Sequence, residues 1–137
     1  MNLEINSYNP DYLNGVLNLW KNCSLIVSQN DPIEDIQKKL DFQPDLFFIG
    51  LLQGRVIGTV IAGYDGHRGW LNYLAVLPEY QRRGFGKQLV DRAVDALRAL
   101  GCLKVNVQVR TSNVSVVDFY RNIGFLEEDR VSLGMRL

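Results

Sequence analysis

The sequence predicts an α+β fold, in which helices pack on a twisted, mostly antiparallel sheet. Apolar residues recur at helical spacing in some segments, whereas other segments are short apolar or alternating runs separated by glycine-containing turns. The chain has 137 residues, 47% of them hydrophobic and 22% charged, as in ordinary globular proteins. This length suits one compact domain spanning residues 1–137, with its own core.

The first part of the chain predicts a short strand and two helices. Residues 3–7 form the strand. The apolar residues of the first helix share one face: Leu13, Val16, Leu17 and Trp20. In DPIEDIQKKL, Asp31 stands where it can cap a second helix, Pro32 takes the first helical position, and Glu34 is spaced for a reciprocal capping contact.

The central part predicts three strands. The run DLFFIGLLQGRVIGTVIAGY contains two apolar segments that meet at Gln53-Gly54, which indicates a hairpin. The turn GYDGHRG then leads into the strand WLNYLAVL, which Pro78 ends. These three strands supply the middle of the predicted sheet.

The last part predicts two helices and two more strands. A helix from about Gly86 to Leu100 has one apolar stripe and stops at Gly101. The alternating LKVNVQVR follows as a strand, and a short helix from Asn113 to Asn122 then ends before Gly124. The closing VSLGMRL resembles strand material. The predicted architecture therefore has about four helices flanking the sheet.

Composition narrows the classes of partner. Fifteen Lys and Arg residues balance fifteen Asp and Glu residues, so we expect no nucleic-acid partner, which would require a basic face. The N-terminus lacks a secretory pattern and no apolar run reaches the length of a membrane span, so we expect a cytoplasmic protein with no membrane partner. Cys23 and Cys102 match no metal or redox spacing, which predicts two reduced core thiols and no metal.

The stretch QRRGFGK predicts a phosphate site. Helix N-termini expose unpaired N–H groups, glycines allow close approach, and Arg82, Arg83 and Lys87 add positive charge. A dinucleotide loop does not fit, because Leu89 replaces the third glycine, and a Walker loop does not fit, because Gln88 follows Gly86-Lys87. The alternative is an exposed basic loop that begins a helix without binding anything.

Two motifs carry a family resemblance. The run VLPEYQRRGFG resembles the acyl-CoA signature of the GNAT superfamily of N-acetyltransferases, and NVSVVDFYRNIGF resembles the later helix of that family. Their order and spacing match, and the predicted elements agree over nearly the whole chain. The stretches GYDGHRG and SLGMRL further resemble the small bacterial YpeA-type members.

The resemblance implies the GNAT acyl-CoA N-acyltransferase fold, a mixed sheet with a splayed central strand pair whose walls are LNYLAV and LKVNVQV. It also implies acetyl-CoA as co-substrate and, as partner, the primary amine of a small molecule or of a peptide or protein, which attacks directly in a ternary complex. The implied cofactor-binding residues are Leu74, Ala75, Val76, Gln81, Arg82, Arg83, Gly84, Phe85, Gly86, Lys87, Asn113 and Tyr120.

Tyr120 is the implied general acid, although it also fits a core stripe, and Asn113 either contacts pantetheine or only caps its helix. Many family members have a glutamate base where this chain has Asn72, and an amide accepts no proton at neutral pH. The base is then Glu79, Asp65, solvent or another group.

Residues of the second helix start, the GYDGHRG turn and the following strand are candidate acceptor contacts: Asp31, Tyr64, Asp65, His67 and Tyr73. The sequence favours a solvated turn residue for His67 and a simple helix cap for Asp31 over these contacts. The alternative function is a catalytically idle GNAT domain that binds CoA as sensor or scaffold. The acceptor, the acyl-chain preference and the oligomeric state, a homodimer included, stay open.

Overall fold

The computed structural model describes residues 2–137, which divide into two compact units, one ending at Val107 and one running from Gln108 to Leu137. The prediction of a single domain stays a prediction. In chain order the elements are β1 Glu4–Ser7, α1 Leu13–Asn22, α2 Pro32–Asp41, β2 Phe47–Leu52, β3 Arg55–Tyr64, β4 Gly69–Val76, α3 Phe85–Ala99, β5 Val105–Val107 and α4 Val114–Asn122.

The first unit contains a five-stranded sheet with the order β1-β2-β3-β4-β5. The first three pairings are antiparallel, and β5 pairs with β4 in parallel after the α3 crossover. The predicted α+β fold with a mostly antiparallel mixed sheet is confirmed. The hairpin at Gln53-Gly54 is also confirmed, since φ values of 51° and 79° fit a turn whose twist matches that of its strands.

Helices α1 and α3 pack against the sheet and form the core with it. The largest fully buried side chains include Trp20, Phe47 and Leu97. The stripe predicted for α3 is buried at Leu89, Val90, Ala93 and Leu97, but Leu100 lies at the helix end and is 54% exposed. Gly101, with φ of 89°, ends the helix as predicted. Both cysteines are free thiols.

Three sequence predictions are wrong in detail. Glu34 makes an ion pair with Lys38 at 3.1 Å instead of a capping contact, because one helical turn separates the two charges. The LKVNVQVR strand is only Val105–Val107, since its ladder with β4 ends there. The VSLGMRL segment forms no strand, because its alternating apolar residues are exposed and, within the described chain, have no paired strand.

Residues 2–137 lack two kinds of feature. None of the helices there combines the length and the apolar character needed to cross a bilayer. No group of three or more His, Cys, Asp or Glu side chains in that range is arranged to hold a metal ion.

Candidate active site

The loop between β4 and α3 ends at a helix N-terminus with free backbone N–H groups. Gly84 is the N-cap of α3 with φ of 82°, and Arg82 also has a positive φ, 63°. The first helical hydrogen bond runs from Gln88 N to the Gly84 carbonyl at 3.1 Å, so the N–H groups of the first turn have no intrahelical partner. A Cβ on Gly84 would have no atom within 4 Å, which leaves room for a ligand there. This geometry fits a phosphate.

The three cationic side chains of the loop, Arg82, Arg83 and Lys87, differ in their contacts. Arg83 lies over the ring of Tyr80, 5.4 Å from its centroid. The ammonium of Lys87 is paired with Asp91 at 2.7 Å on the exposed helix surface. Arg82 is exposed. The backbone N–H groups at the start of α3 are thus the donors best arranged for an anion, and the two arginines bring positive charge to the same loop.

Gln81 and Phe85 of the motif hold the loop in place. The Gln81 amide donates to the Val76 carbonyl at 2.9 Å, which ties the loop to the end of β4, and the Cys23 thiol approaches the same oxygen at 3.4 Å. Burial raises the pKa of that thiol. The Phe85 ring is buried, so only its backbone can face a ligand.

A bulge interrupts β4 beside this loop. The register of β3 and β4 shifts between Thr59 and Ile61, so that Tyr73 and Leu74 together oppose Val60. Tyr73 has φ of 50°, a region that few residues other than glycine adopt. A bulge leaves its extra residue unpaired, which frees backbone groups at this point.

The other edge of β4 is open over the same stretch. Its ladder with β5 covers only Gly69–Leu71, and no strand among residues 2–137 continues the ladder beyond Leu71. The backbone of residues 72–76 therefore offers donors and acceptors to a ligand in the manner of a sheet edge. This is the splayed pair that the resemblance implied.

A buried chain of hydrogen bonds holds the bulge. The Trp20 indole donates to the Thr59 hydroxyl at 2.9 Å, and that hydroxyl donates to the Tyr73 carbonyl at 2.8 Å. The rings of Trp20 and Tyr73 stack with centroids 3.9 Å apart. Thr59 is 0% exposed, so its hydroxyl has only these protein partners to satisfy it.

A groove of about 480 Å³ opens where the bulge faces α2. Its lining includes Asn30, Asp35, Lys39, Phe42, Asn72 and Tyr73. The Tyr73 hydroxyl donates to Asp35 Oδ2 at 2.7 Å. Burial, together with the neighbouring carboxylate, raises the pKa of Tyr73, so the phenol stays protonated and keeps this bond.

Lys39 of α2 lines the same groove and joins it to β3. Its Nζ donates to the Ala62 carbonyl of β3 at 2.5 Å. Burial lowers the pKa of Lys39 to about 8, so the ammonium is still the main form at neutral pH. Glu79, a candidate base, lines a different groove of about 590 Å³ together with Arg55 and Arg83.

Of the five predicted acceptor residues, only Tyr73 lines the 480 Å³ groove. Asp31 caps α2 by accepting from the N–H groups of residues 33 and 34, and Tyr64 bonds Gln43 through its backbone. Asp65 shapes its exposed turn, where the backbone N–H groups of Arg68 and His67 lower its pKa. The sequence did not point to Asp35 or Lys39, because charges on an amphipathic helix resemble a solvated face.

The second unit carries the later motif. Asn113 precedes α4 and makes no side-chain cap bond, so the capping interpretation is not supported; its carbonyl accepts from the next turn instead. The Tyr120 ring is buried and meets Phe119 and Phe125 edge-on, at centroid distances of 5.1 and 5.2 Å. Burial raises the pKa of this phenol, which keeps its proton across the physiological range.

Comparison with known proteins places these features in context. The sequence model of the acetyltransferase (GNAT) family matches residues 13–125. An acetyltransferase of Yersinia pestis (strain Pestoides F) is 40% identical over 135 residues, covering 98% of this chain and 96% of its own.

Solved structures share the fold. The aminoglycoside N-acetyltransferase AAC(6')-Iy in complex with CoA is similar at a TM-score of 0.80 and 23% identity, over 98% of this chain and 95% of its own. A chain of the NatC complex bound to Gag peptide and CoA is similar at a TM-score of 0.79 and 21% identity, over 95% and 88%.

Proposed function

The chain belongs to the acetyltransferase (GNAT) family, and from this premise we propose that it transfers the acetyl group of acetyl-CoA to a primary amine through the site on β4. The observation that carries the proposal is the arrangement along one strand. The groove borders Asn72 and Tyr73, the open edge follows at residues 74–76, and Gln81 ties the phosphate loop to Val76. Acceptor, thioester and pyrophosphate sites thus succeed one another in that order.

CoA binding uses mainly backbone groups. The open edge at Leu74–Val76 pairs with the amides of the pantetheine arm, as a strand edge pairs with a peptide. The pyrophosphate takes the N–H groups at the start of α3, around Gly84 and Gly86, with Arg82 and Arg83 at the rim. Phe85 contributes its backbone alone, because its ring is in the core.

Two kinds of group serve the chemistry. When bound, acetyl-CoA supplies the activated acetyl thioester. A backbone N–H freed by the bulge at Tyr73 and Leu74 stabilises the negative charge that develops on the thioester oxygen. We assign Tyr120 as the acid that protonates the departing sulfur, supported by the family motif and by its protonated phenol. Asn113 is the proposed pantetheine contact, because it makes no side-chain cap bond.

The acceptor amine enters by the groove. Asn72 accepts a hydrogen bond from the amine but takes no proton, because an amide is not a base at neutral pH. The amine attacks in its neutral form, and the proton that its nitrogen loses passes to solvent. The similar structures include one named an aminoglycoside acetyltransferase and one bound to a peptide, which together support a small-molecule or peptide amine as acceptor.

Thiol release from acetyl-CoA, measured with a panel of primary amines, tests the proposal. CoA binding is measured in the same preparation by thermal shift, so that an inactive sample is distinguished from an unfolded one. Amine-dependent release of CoA with acetylated product is the expected result. CoA binding without any amine-dependent release would contradict it and would leave an idle CoA-binding domain.

A further inference from the structure

The groove carries charges of both signs on one face of α2. Asp35, Lys38 and Lys39 stand at positions i, i+3 and i+4, which are neighbours on a helix surface. No other Asp, Glu, Lys or Arg side chain among residues 2–137 lines this groove. A groove with one carboxylate and two ammonium groups does not suit a polycation, because any further positive charge on the ligand meets a lysine.

Asp35 is held ready for an ammonium group. Its Oδ2 accepts the Tyr73 hydroxyl, and that bond leaves Oδ1 unused. Tyr73 is itself fixed by stacking on Trp20 and by the Thr59 bond to its carbonyl. A carboxylate oriented in this way can bind a primary ammonium by a charge-assisted hydrogen bond.

Lys39 is the groove cation that is open to an anion. Lys38 is already paired with Glu34 on the exposed surface, where its side chain is 73% exposed. Lys39 is half-buried, and its ammonium uses one proton on the Ala62 carbonyl, which leaves two more protons to donate. The bond to Ala62 anchors the lysine at the β3 wall.

We infer that the acceptor is a primary amine that also carries an anionic group, with its ammonium on Asp35 and its anion on Lys39. The inference rests on the proposed acetyl transfer and names the class of amine. Tyr73, which holds Asp35, directly precedes Leu74 on β4, so the amine is bound beside the strand segment that is proposed to hold the thioester. The apolar part of the acceptor lies on Phe42, a groove residue that is 64% exposed.

A matched pair of acceptors tests the inference. An apolar dipeptide with a free C-terminal carboxylate is compared with the same dipeptide as its C-terminal amide, and spermidine serves as the polycation. In the wild type, kcat/KM for the carboxylate form is expected to exceed that for the amide form about tenfold. Lys39→Met is expected to remove this preference. Asp35→Asn is expected to raise KM for both dipeptides about tenfold.

Controls separate folding from recognition. Asp41→Asn on the same helix and Lys21→Met on α1 are exposed and line no part of the groove, so both keep the wild-type preference. Lys39→Gln retains a donor for the Ala62 carbonyl and replaces Lys39→Met if that variant unfolds. Thermal unfolding and CoA affinity are measured for each variant.

Three outcomes decide the matter. Loss of the carboxylate preference in Lys39→Met, with CoA affinity unchanged, supports the inference. Equal rates for the two dipeptides in the wild type, or faster acetylation of spermidine, overturn the acceptor class and leave acetyl transfer standing. Bound CoA with no acetylation of any amine overturns acetyl transfer itself and the inference with it.

Discussion

Thr59→Val is the sharpest test of how the site is supported. Valine has nearly the shape of threonine, so the substitution leaves no cavity, but it removes the hydroxyl between Trp20 and Tyr73. The indole N–H is then left without this partner in a buried setting, and the bulge carbonyl loses it in a part-buried one. Each buried polar group without a partner costs about 1–3 kcal/mol.

The magnitude follows from these contacts. Loss of the two hydrogen bonds destabilises the fold, and burial of the added methyl group offsets about 0.8 kcal/mol of that loss. The free energy of unfolding is therefore expected to fall by about 3 kcal/mol. At about 2.1 cal/mol/K per residue, the unfolding entropy of 137 residues is about 0.29 kcal/mol/K. A loss of about 3 kcal/mol therefore lowers Tm by about 10 °C.

Thermal unfolding followed by circular dichroism measures the shift, and Thr59→Ser is the matched control. Serine keeps both hydrogen bonds and loses one methyl, so it costs about 1 kcal/mol, or about 3–4 °C. The hydrogen-bond explanation fails if the valine variant melts as high as the serine variant. It also fails if the valine variant melts within 3 °C of the wild type, a limit set near the size of the serine effect.

Three further predictions concern the loop, the acid and the groove. Gly84→Glu and Gly86→Glu should abolish CoA binding in a titration, because a carboxylate intrudes on the phosphate site. The control is Gly101→Glu, which should keep CoA binding, since Gly101 is like Gly84 an open position with positive φ but lies beyond the far end of α3. Unchanged CoA affinity in Gly84→Glu would remove the loop assignment. Tyr120→Phe should lower kcat more than CoA affinity, and an unchanged kcat would exclude the acid role. The pKa of Lys39 falls from 10.5 in the unfolded chain to about 8 in the fold, so between these pH values the unfolded state binds more protons and stability rises with pH. Denaturant unfolding at pH 7.5 and pH 10 should show this rise in stability for the wild type and a smaller rise for Lys39→Met. Equal rises in the two proteins would refute the reasoning.

Local patterns were enough to predict most of the elements. Asp31 before Pro32 predicted the start of α2, Gln53-Gly54 predicted the hairpin, and Gly101 predicted the end of α3. In each case a nearby residue determines the backbone conformation by its own chemistry. The order and spacing of VLPEYQRRGFG and NVSVVDFYRNIGF predicted the family.

The groove and the sheet edges depend on distant residues and were not predictable in this way. Asp35 and Tyr73 meet across two elements, and nothing in either local sequence indicates the partner. The alternation in VSLGMRL suits a strand, but a strand also needs a neighbour to pair with. The bulge likewise arises from the register between β3 and β4, which is a property of two strands.

The parallel pairing of β4 with β5 has a consequence for the order in which the chain assembles. The hairpin of β2 with β3, and then β4, closes between neighbouring segments, whereas Gly69 pairs with Val105 only after the whole of α3 has been traversed. Loop closure over that distance carries an entropic cost that the hairpins avoid, so this three-residue ladder at the sheet edge is expected to form after the β2–β3 and β3–β4 pairings and to open before them. In native-state hydrogen exchange, the amides of Val105–Val107 should therefore exchange well before those of β3, and bound CoA should slow their exchange.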